Sequence, residues 1–145
     1  MKTLSSILLL CCLLAACSRG PEPISYGKES CAHCKMTIMD KRFAAEVVTA
    51  RGKIYKFDAA ECMAGFLKEN PAITADQNST FLVNDFSSPE QFRDARKAWF
   101  LRDSSFNSPM GGNLAAFQSR RDAVAQEKDQ HAEVMDWAAL LKQGK

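Results

Sequence analysis

The sequence predicts an α+β fold in which short strands and helices alternate through two halves of similar outline. Two features support this prediction. In the first half, two β-type segments are joined by a turn and followed by a segment of helical periodicity and a further strand. In the second half, strand-type and helix-type segments alternate again. The similarity between the halves is too faint to establish an internal repeat from sequence alone.

The first elements form a predicted β-hairpin. Residues 43–50, FAAEVVTA, are apolar and partly β-branched, and Arg51-Gly52-Lys53 has the composition of a turn. Residues 54–57, IYKF, alternate toward one face. Two such segments separated by a short turn are typical of paired antiparallel strands.

A helix and a strand are predicted to complete this ββαβ unit. Asp58 is a plausible N-cap with Glu61 three residues on, which is the spacing of a capping box. Residues 59–69 have helical periodicity, and Asn70-Pro71 is expected to end the helix. Residues 80–86, TFLVNDF, are predicted to form the third strand.

The second half is predicted to contain a strand, a helix, a strand and a helix. Residues 97–101 have strand character, and a short helix is expected over 112–117 after a Pro-Gly turn. Residues 122–126 are predicted as a strand, and 133–143 as an amphipathic helix.

The N-terminus has the features of an export signal. Lys2 precedes an apolar run over residues 7–14, which is too short to span a bilayer. The following Leu14-Ala15-Ala16-Cys17 resembles the lipobox of bacterial lipoproteins, in which the cysteine becomes the new N-terminus and carries the lipid. We therefore predict a signal peptide over 1–16 and lipidation at Cys17. The alternative is an ordinary secretory signal that leaves this cysteine free.

A tether and one folded domain are predicted to follow the signal. Ser18 after the lipobox cysteine favours the outer membrane in Gram-negative lipoproteins. Residues 17–30 include Gly20-Pro21-Glu22-Pro23 and are predicted to be a flexible tether. The domain is expected over 31–145, with subunits of about 31–87 and 88–145. The net charge is only +2 and no long basic run occurs, which argues against nucleic acid as a partner.

The cysteines indicate chemistry rather than disulfide bridging of the fold. Of six cysteines, two lie in the signal and one is the lipobox cysteine, which leaves Cys31, Cys34 and Cys62. An odd set in an oxidising compartment cannot be fully paired within the chain. At least one thiol is therefore free or bound to a metal.

The segment Cys31-Ala32-His33-Cys34-Lys35-Met36 is the densest cluster of metal-binding side chains. Thiolate and thioether sulfurs are soft donors that suit Cu(I). Two residues apart in an extended loop, Cys34 and Met36 should point to the same side and converge on one ion. Cys31 and His33 are possible further ligands.

Met110 is the second candidate ligand. It lies in Pro109-Met110-Gly111-Gly112, a tight turn with two permissive glycines. A methionine there is poorly placed for the core of a helix or strand. The alternative is a turn residue that covers the edge of the core.

Three other interpretations of the cysteine cluster remain open. Cys31 and Cys34 could form a disulfide without metal. Cys31, Cys34, Cys62 and His33 together supply the donors of a structural zinc site. Cys-Ala-His-Cys also resembles the motif of periplasmic disulfide oxidants, although no capped helix follows it here. Cys62 is otherwise expected to be a small buried apolar residue, or a partner of Cys31.

No acid–base pair, nucleophile–base pair or phosphate loop is found, which argues against an enzyme.

The motifs together resemble those of the NosL family. They are the lipobox, Cys34-Lys35-Met36, the helix-opening Phe-Asp-Ala-Ala-Glu-Cys-Met over 57–63, and the Pro-Met-Gly-Gly turn at 109–112. The resemblance covers roughly residues 31–142. Members are copper-binding lipoproteins of the nitrous oxide reductase assembly system.

The resemblance implies a monomer built from two small ββαβ units, with one Cu(I) bound by Cys34, Met36 and Met110. It implies a periplasmic location and delivery of copper to the copper–sulfide centre of nitrous oxide reductase, assisted by an ABC-type membrane complex. Many relatives have glycine at the position of Lys35. The alternatives to a copper carrier are a thiol–disulfide redox protein that uses Cys31 and Cys34, and a structural zinc module.

Overall fold

The structure, a computed structural model, describes residues 20–143. The predicted signal peptide and the lipidation site at Cys17 lie outside these residues. Within 20–143, no helix combines the length and the apolar character needed to cross a bilayer.

The first sheet has four antiparallel strands in the order β2-β1-β3-β4. They are β1 (Ala45–Val48), β2 (Ile54–Phe57), β3 (Thr80–Asp85) and β4 (Ser88–Asp94). The predicted hairpin is confirmed, with Val48 opposite Ile54 and Gly52 in the left-handed region at φ 77°. Strand β4 was not predicted because its sequence begins Ser-Pro, and proline is tolerated there since β4 is an edge strand.

Helix α1 (Ala60–Glu69) packs on one face of this sheet, and the short helix α2 (Pro71–Ala75) follows it. The Phe66 ring lies 4.6 Å from that of Tyr55 and 5.2 Å from that of Phe57, measured between centroids. Because side chains alternate along a strand, the intervening Lys56 points to the opposite face of the sheet.

The predicted cap of α1 is wrong, although the helix itself is confirmed. Ala59, and not Asp58, occupies the N-cap position, and no side chain caps the helix there. The Asp58 carboxylate instead accepts a hydrogen bond from a thiol 24 residues away, described below.

The second sheet has three antiparallel strands in the order β6-β5-β7. They are β5 (Trp99–Arg102), β6 (Leu114–Phe117) and β7 (Glu133–Asp136); α3 (Arg120–Val124) lies between β6 and β7, and α4 (Trp137–Gln143) ends the described chain.

Three of the second-half assignments are corrected by the structure. Residues 114–117, LAAF, have helical propensity but pair with β5 and are buried throughout, which makes them a strand. Residues 120–124 form a helix capped by Ser119, whose Oγ accepts from the Asp122 N–H at 3.1 Å. The predicted helix over 133–143 is divided into β7 and α4.

The corrected elements give both halves the same ββαβ order with the first strand in the middle of its sheet. The predicted α+β class is therefore confirmed. The halves share a core, since the Trp137 ring of α4 lies 5.5 Å from Phe81 of the first sheet and 6.3 Å from Phe100 of the second.

The segment before Cys31 also packs against the domain. Ile24, within the predicted tether, belongs to the core cluster and is 8% exposed. We call residues 21–24 the strap, because they lie across the face of the first sheet that α1 leaves free.

Candidate metal centre

Four potential metal ligands converge where β2 gives way to α1. Cys31, Cys34, Asp58 and Cys62 each offer one ligand atom, and these atoms all lie within 4.8 Å of one another. Cys34 is half-buried and the other three are buried. The three cysteines are free thiols.

Backbone hydrogen bonds hold the cysteine loop beside the edge of the first sheet. The Ala32 N–H donates to the carbonyl of Lys56 at 2.8 Å, and the Cys31 N–H donates to that of Met36 at 2.8 Å. A bridge between Ser30 and Thr37 closes the base of the loop. Strand β2 is an edge strand, so its free carbonyl is available to fix this loop.

The loop is a tight turn and not the extended segment that the sequence predicted. Lys35 has φ 67°, and its N–H donates to the Cys31 carbonyl at 3.1 Å. This left-handed conformation suits glycine, which explains why a glycine would fit between Cys34 and Met36. The sequence predicted an extended loop that would point the sulfurs of Cys34 and Met36 to the same side. That extended geometry is absent here, and the Met36 side chain is 49% exposed.

Asp58 is the site residue that sequence reasoning assigned to another role. It is fully buried directly after β2, and its Oδ2 accepts a hydrogen bond from the Cys34 thiol at 3.4 Å. Its Oδ1 is buried without a hydrogen-bond partner among the described residues. An unsatisfied buried carboxylate oxygen beside three sulfurs is costly unless a cation occupies the cluster.

The three thiols differ in pKa because they are hydrogen-bonded to one another and buried to different extents. A hydrogen bond from the Cys62 thiol lowers the pKa of Cys31 to about 6, despite burial. Burial raises the pKa of the Cys34 thiol to about 11. The pKa of Cys62 is raised because its proton is held by Cys31. The cluster thus favours a first thiolate at Cys31, and a metal ion would displace the remaining protons.

An open cleft of about 790 Å³ adjoins the cluster. Its lining combines the first turns of α1 with the Met110 turn and α4, and includes His33, Glu61, Cys62, Met110, Gly112 and Leu140. Met110 is 44% exposed there. The His33 ring lies so close to α1 that a Cβ on Gly65 would be 2.8 Å from its Nε2.

Glu61 joins the two halves at this cleft instead of completing a capping box. Its Oε1 accepts from the Ser108 hydroxyl at 2.7 Å, and that hydroxyl accepts from the Asn113 N–H at 2.9 Å. A Cβ on Gly112 would lie 2.8 Å from the same carboxylate oxygen, so glycine permits the close approach. Burial raises the pKa of Glu61. The Met110 turn is thereby hydrogen-bonded to α1 through Ser108 and packs against Glu61 at Gly112.

The structure places the predicted residues in the thiol cluster or on the adjoining cleft, except Met36, which belongs to neither and is 49% exposed on the cysteine loop. It unites Cys31 and Cys34 with Cys62, which the sequence offered as an apolar core residue or as a partner in a zinc site or disulfide, and adds Asp58, which had been predicted as a cap. Met110 and His33 lie on the adjoining cleft. Asp58 and Cys62 flank the start of a helix that directly follows a strand. That position is the sequence feature that could have identified them as site residues.

The fold and this centre define a small α+β protein with a thiol-rich candidate metal site. The chain belongs to the NosL family, whose model matches residues 24–143. The resemblance drawn from its motifs is confirmed.

A solved structure is similar over most of the chain. It is the crystal structure of the copper chaperone NosL from Shewanella denitrificans, which has 26% sequence identity and a TM-score of 0.61. The match covers 74% of this chain and 84% of the other. Comparison with curated proteins gives no significant match.

Proposed function

We propose that this chain is a periplasmic copper chaperone that carries one Cu(I) ion and acts as a carrier, not as an enzyme. The observation that supports this most is the convergence of three free thiols and Asp58 beside a cleft that holds Met110. Family membership and the similarity to a copper chaperone of known structure add support.

The proposed ligands are Cys34, Met36 and Met110, with Cys31 as a further donor and His33 beside the cleft. Cys34 is the half-buried thiol of the cluster, whereas Cys31 and Cys62 are fully buried. Cu(I) is satisfied by two or three soft ligands and needs no water. A thiolate with neutral thioethers keeps the negative charge of the site low, which favours Cu(I) over Cu(II).

Transfer is proposed to proceed by ligand exchange at the exposed methionines. Met36 and Met110 are both about half exposed, so a donor from a recipient protein has access to an ion held by them. The Cys34 thiol, with Cys31 behind it, binds the ion from the inner side. The ion can therefore gain a new ligand before it loses its last ligand from the carrier.

The proposed client is nitrous oxide reductase, whose copper–sulfide centre would receive the ion with the help of an ABC-type membrane complex. The carrier is proposed to be a monomer anchored through lipid at Cys17 to the periplasmic side of a bacterial membrane, the outer membrane being favoured. An anchor confines the search for a membrane-bound partner to the surface and raises the local concentration.

A structural zinc module is the second candidate, because three thiols and a carboxylate are also a tetrahedral zinc donor set. A zinc module would unfold when a chelator removes the metal, whereas a carrier would stay folded without its cargo.

Anaerobic titration of the reduced mature chain against a competing Cu(I) chelator tests the proposal. We expect one equivalent of Cu(I), with most of the affinity lost in Cys34→Ser and part of it in Met36→Leu and Met110→Leu. Met39 is the matched control, since it is 67% exposed and has no assigned role, and Met39→Leu should bind as the wild type does. Absence of Cu(I) binding, or preferential zinc binding with unfolding on chelation, would overturn the assignment.

A further inference from the structure

We infer that the strap face of the first sheet rests on the phospholipid headgroups of the anchoring membrane, with the metal cleft held on the side away from the bilayer. This inference rests on the lipid anchor at Cys17 in the proposed function. It adds an orientation that the anchor alone does not give.

The strap is fixed to the sheet close to where the described chain begins. The Glu22 N–H donates to Oε1 of the buried Glu46 at 3.1 Å, and the Lys56 ammonium donates to the carbonyl of Pro23 at 2.9 Å. The next residue, Ile24, is buried in the core. The point at which the tether leaves the domain is therefore the strap, and not the cysteine loop.

The strap and the cleft lie on opposite sides of the first sheet. Lys56, which binds the strap, alternates along β2 with Tyr55 and Phe57, whose rings contact α1. The cleft is lined by α1 and α4 and so lies on the helix side. The sheet therefore separates the strap from the cleft, whereas the cysteine loop lies at the β2 edge, where Ala32 and Glu22 line one pocket.

The tether is too short to let the domain turn over. Residues 18–21 separate the lipidated cysteine from Glu22, and the five Cα–Cα steps from Cys17 to Glu22 reach at most about 18 Å. A compact domain of this size is about 35 Å across. To press the cleft side onto the bilayer, the tether would have to span the domain, and it reaches only about half of that distance.

The exposed side chains of the strap segment are polar or proline, and Tyr26 and Phe92 beside them are only partly exposed, so the surface rests on the headgroups without a large inserting apolar group. Its exposed positions include Pro21, Glu22, Pro23, Ser25 and Lys28, which have no large apolar side chain among them. The recipient of the metal must accordingly approach from the aqueous side.

Paramagnetic broadening tests this orientation in the full lipidated chain. The mature protein is incorporated into nanodiscs of phosphatidylethanolamine and phosphatidylglycerol that contain a headgroup spin-labelled lipid. We expect the amide signals of Ser25 and Lys28 to lose at least half of their intensity, while those of Gly112 and Lys142 on the cleft keep theirs. The control inserts twenty Gly-Ser residues between Ser18 and Arg19, which should remove the contrast between the two faces.

Three other outcomes would overturn the orientation, the anchor or the carrier function. Equal broadening of both faces, or stronger broadening at Gly112 and Lys142, overturns the orientation. A mature chain whose mass shows no lipid at Cys17 overturns the anchor and the orientation together. A correctly oriented chain that fails to bind Cu(I) overturns the carrier function and leaves the orientation standing.

Discussion

The Cys34 thiol donates a hydrogen bond to Oδ2 of Asp58 at 3.4 Å, across 24 residues of sequence. The other oxygen of this buried carboxylate has no partner within residues 20–143. A negative group is thus fixed beside the thiol that is proposed to bind Cu(I). The negative charge of Asp58 can therefore attract the cation to the thiol.

Asp58→Asn is therefore expected to weaken Cu(I) binding about tenfold. This is the low end of the loss in affinity that follows when a group that orients a metal ligand is changed. The amide keeps the size of the side chain but removes the negative charge. Chelator competition measures the affinity, and Glu127→Gln, which removes an exposed carboxylate elsewhere, is the control. Unchanged affinity in Asp58→Asn would mean that the carboxylate has no role in the site.

How far the sequence predicted the structure depends on whether an interaction is local. The β1–β2 hairpin and α1 were predicted because their periodicity lies within a few residues. Residues 114–117 were misassigned because pairing with β5 overrides the helical propensity of LAAF. Asp58 was misassigned because its capping role is a local expectation, whereas its contact with Cys34 depends on the tertiary fold.

Lys35→Gly is expected to stabilise the protein by about 1 kcal/mol, because Lys35 adopts φ 67°, where a side chain is disfavoured. Urea unfolding of the reduced protein without metal measures this change. The matched control is Lys28→Gly, at an exposed position without positive φ, which should be neutral or destabilising. If both variants lose stability equally, backbone strain at Lys35 is not significant.

Ser108→Ala is expected to destabilise the protein by about 2 kcal/mol, because it leaves the Glu61 carboxylate and the Asn113 N–H without their partner. It should also weaken Cu(I) binding as much as Met110→Leu does, since Ser108 holds the turn that carries Met110. Urea unfolding and chelator competition measure the two effects. Ser87→Ala, at an exposed serine of the turn between β3 and β4, is the control for both. Loss of stability with unchanged Cu(I) affinity would separate the turn from the metal site.

Glu46 is expected to make the protein less stable as the pH rises from about 5 to 8. Burial raises its pKa from the ordinary 4.5 to about 7, and its Oε2 has no hydrogen-bond partner within the described part of the chain. Between these two pKa values the folded state retains a proton that the unfolded state has lost. Stability is therefore complete below about 4.5 and is lost as the pH passes 7.

Glu46→Gln isolates this effect from that of the Cys31 thiol, whose pKa of about 6 also lies in this range. The free energy of unfolding in urea is measured at pH 5 and at pH 8 for both proteins. The decrease from pH 5 to pH 8 should be larger in the wild type than in the variant, by on the order of 2 kcal/mol. The glutamine still accepts the Glu22 N–H and carries no charge to desolvate. An identical pH dependence in the two proteins would show that Glu46 titrates normally. That result would mean that the strap leaves the carboxylate accessible to water.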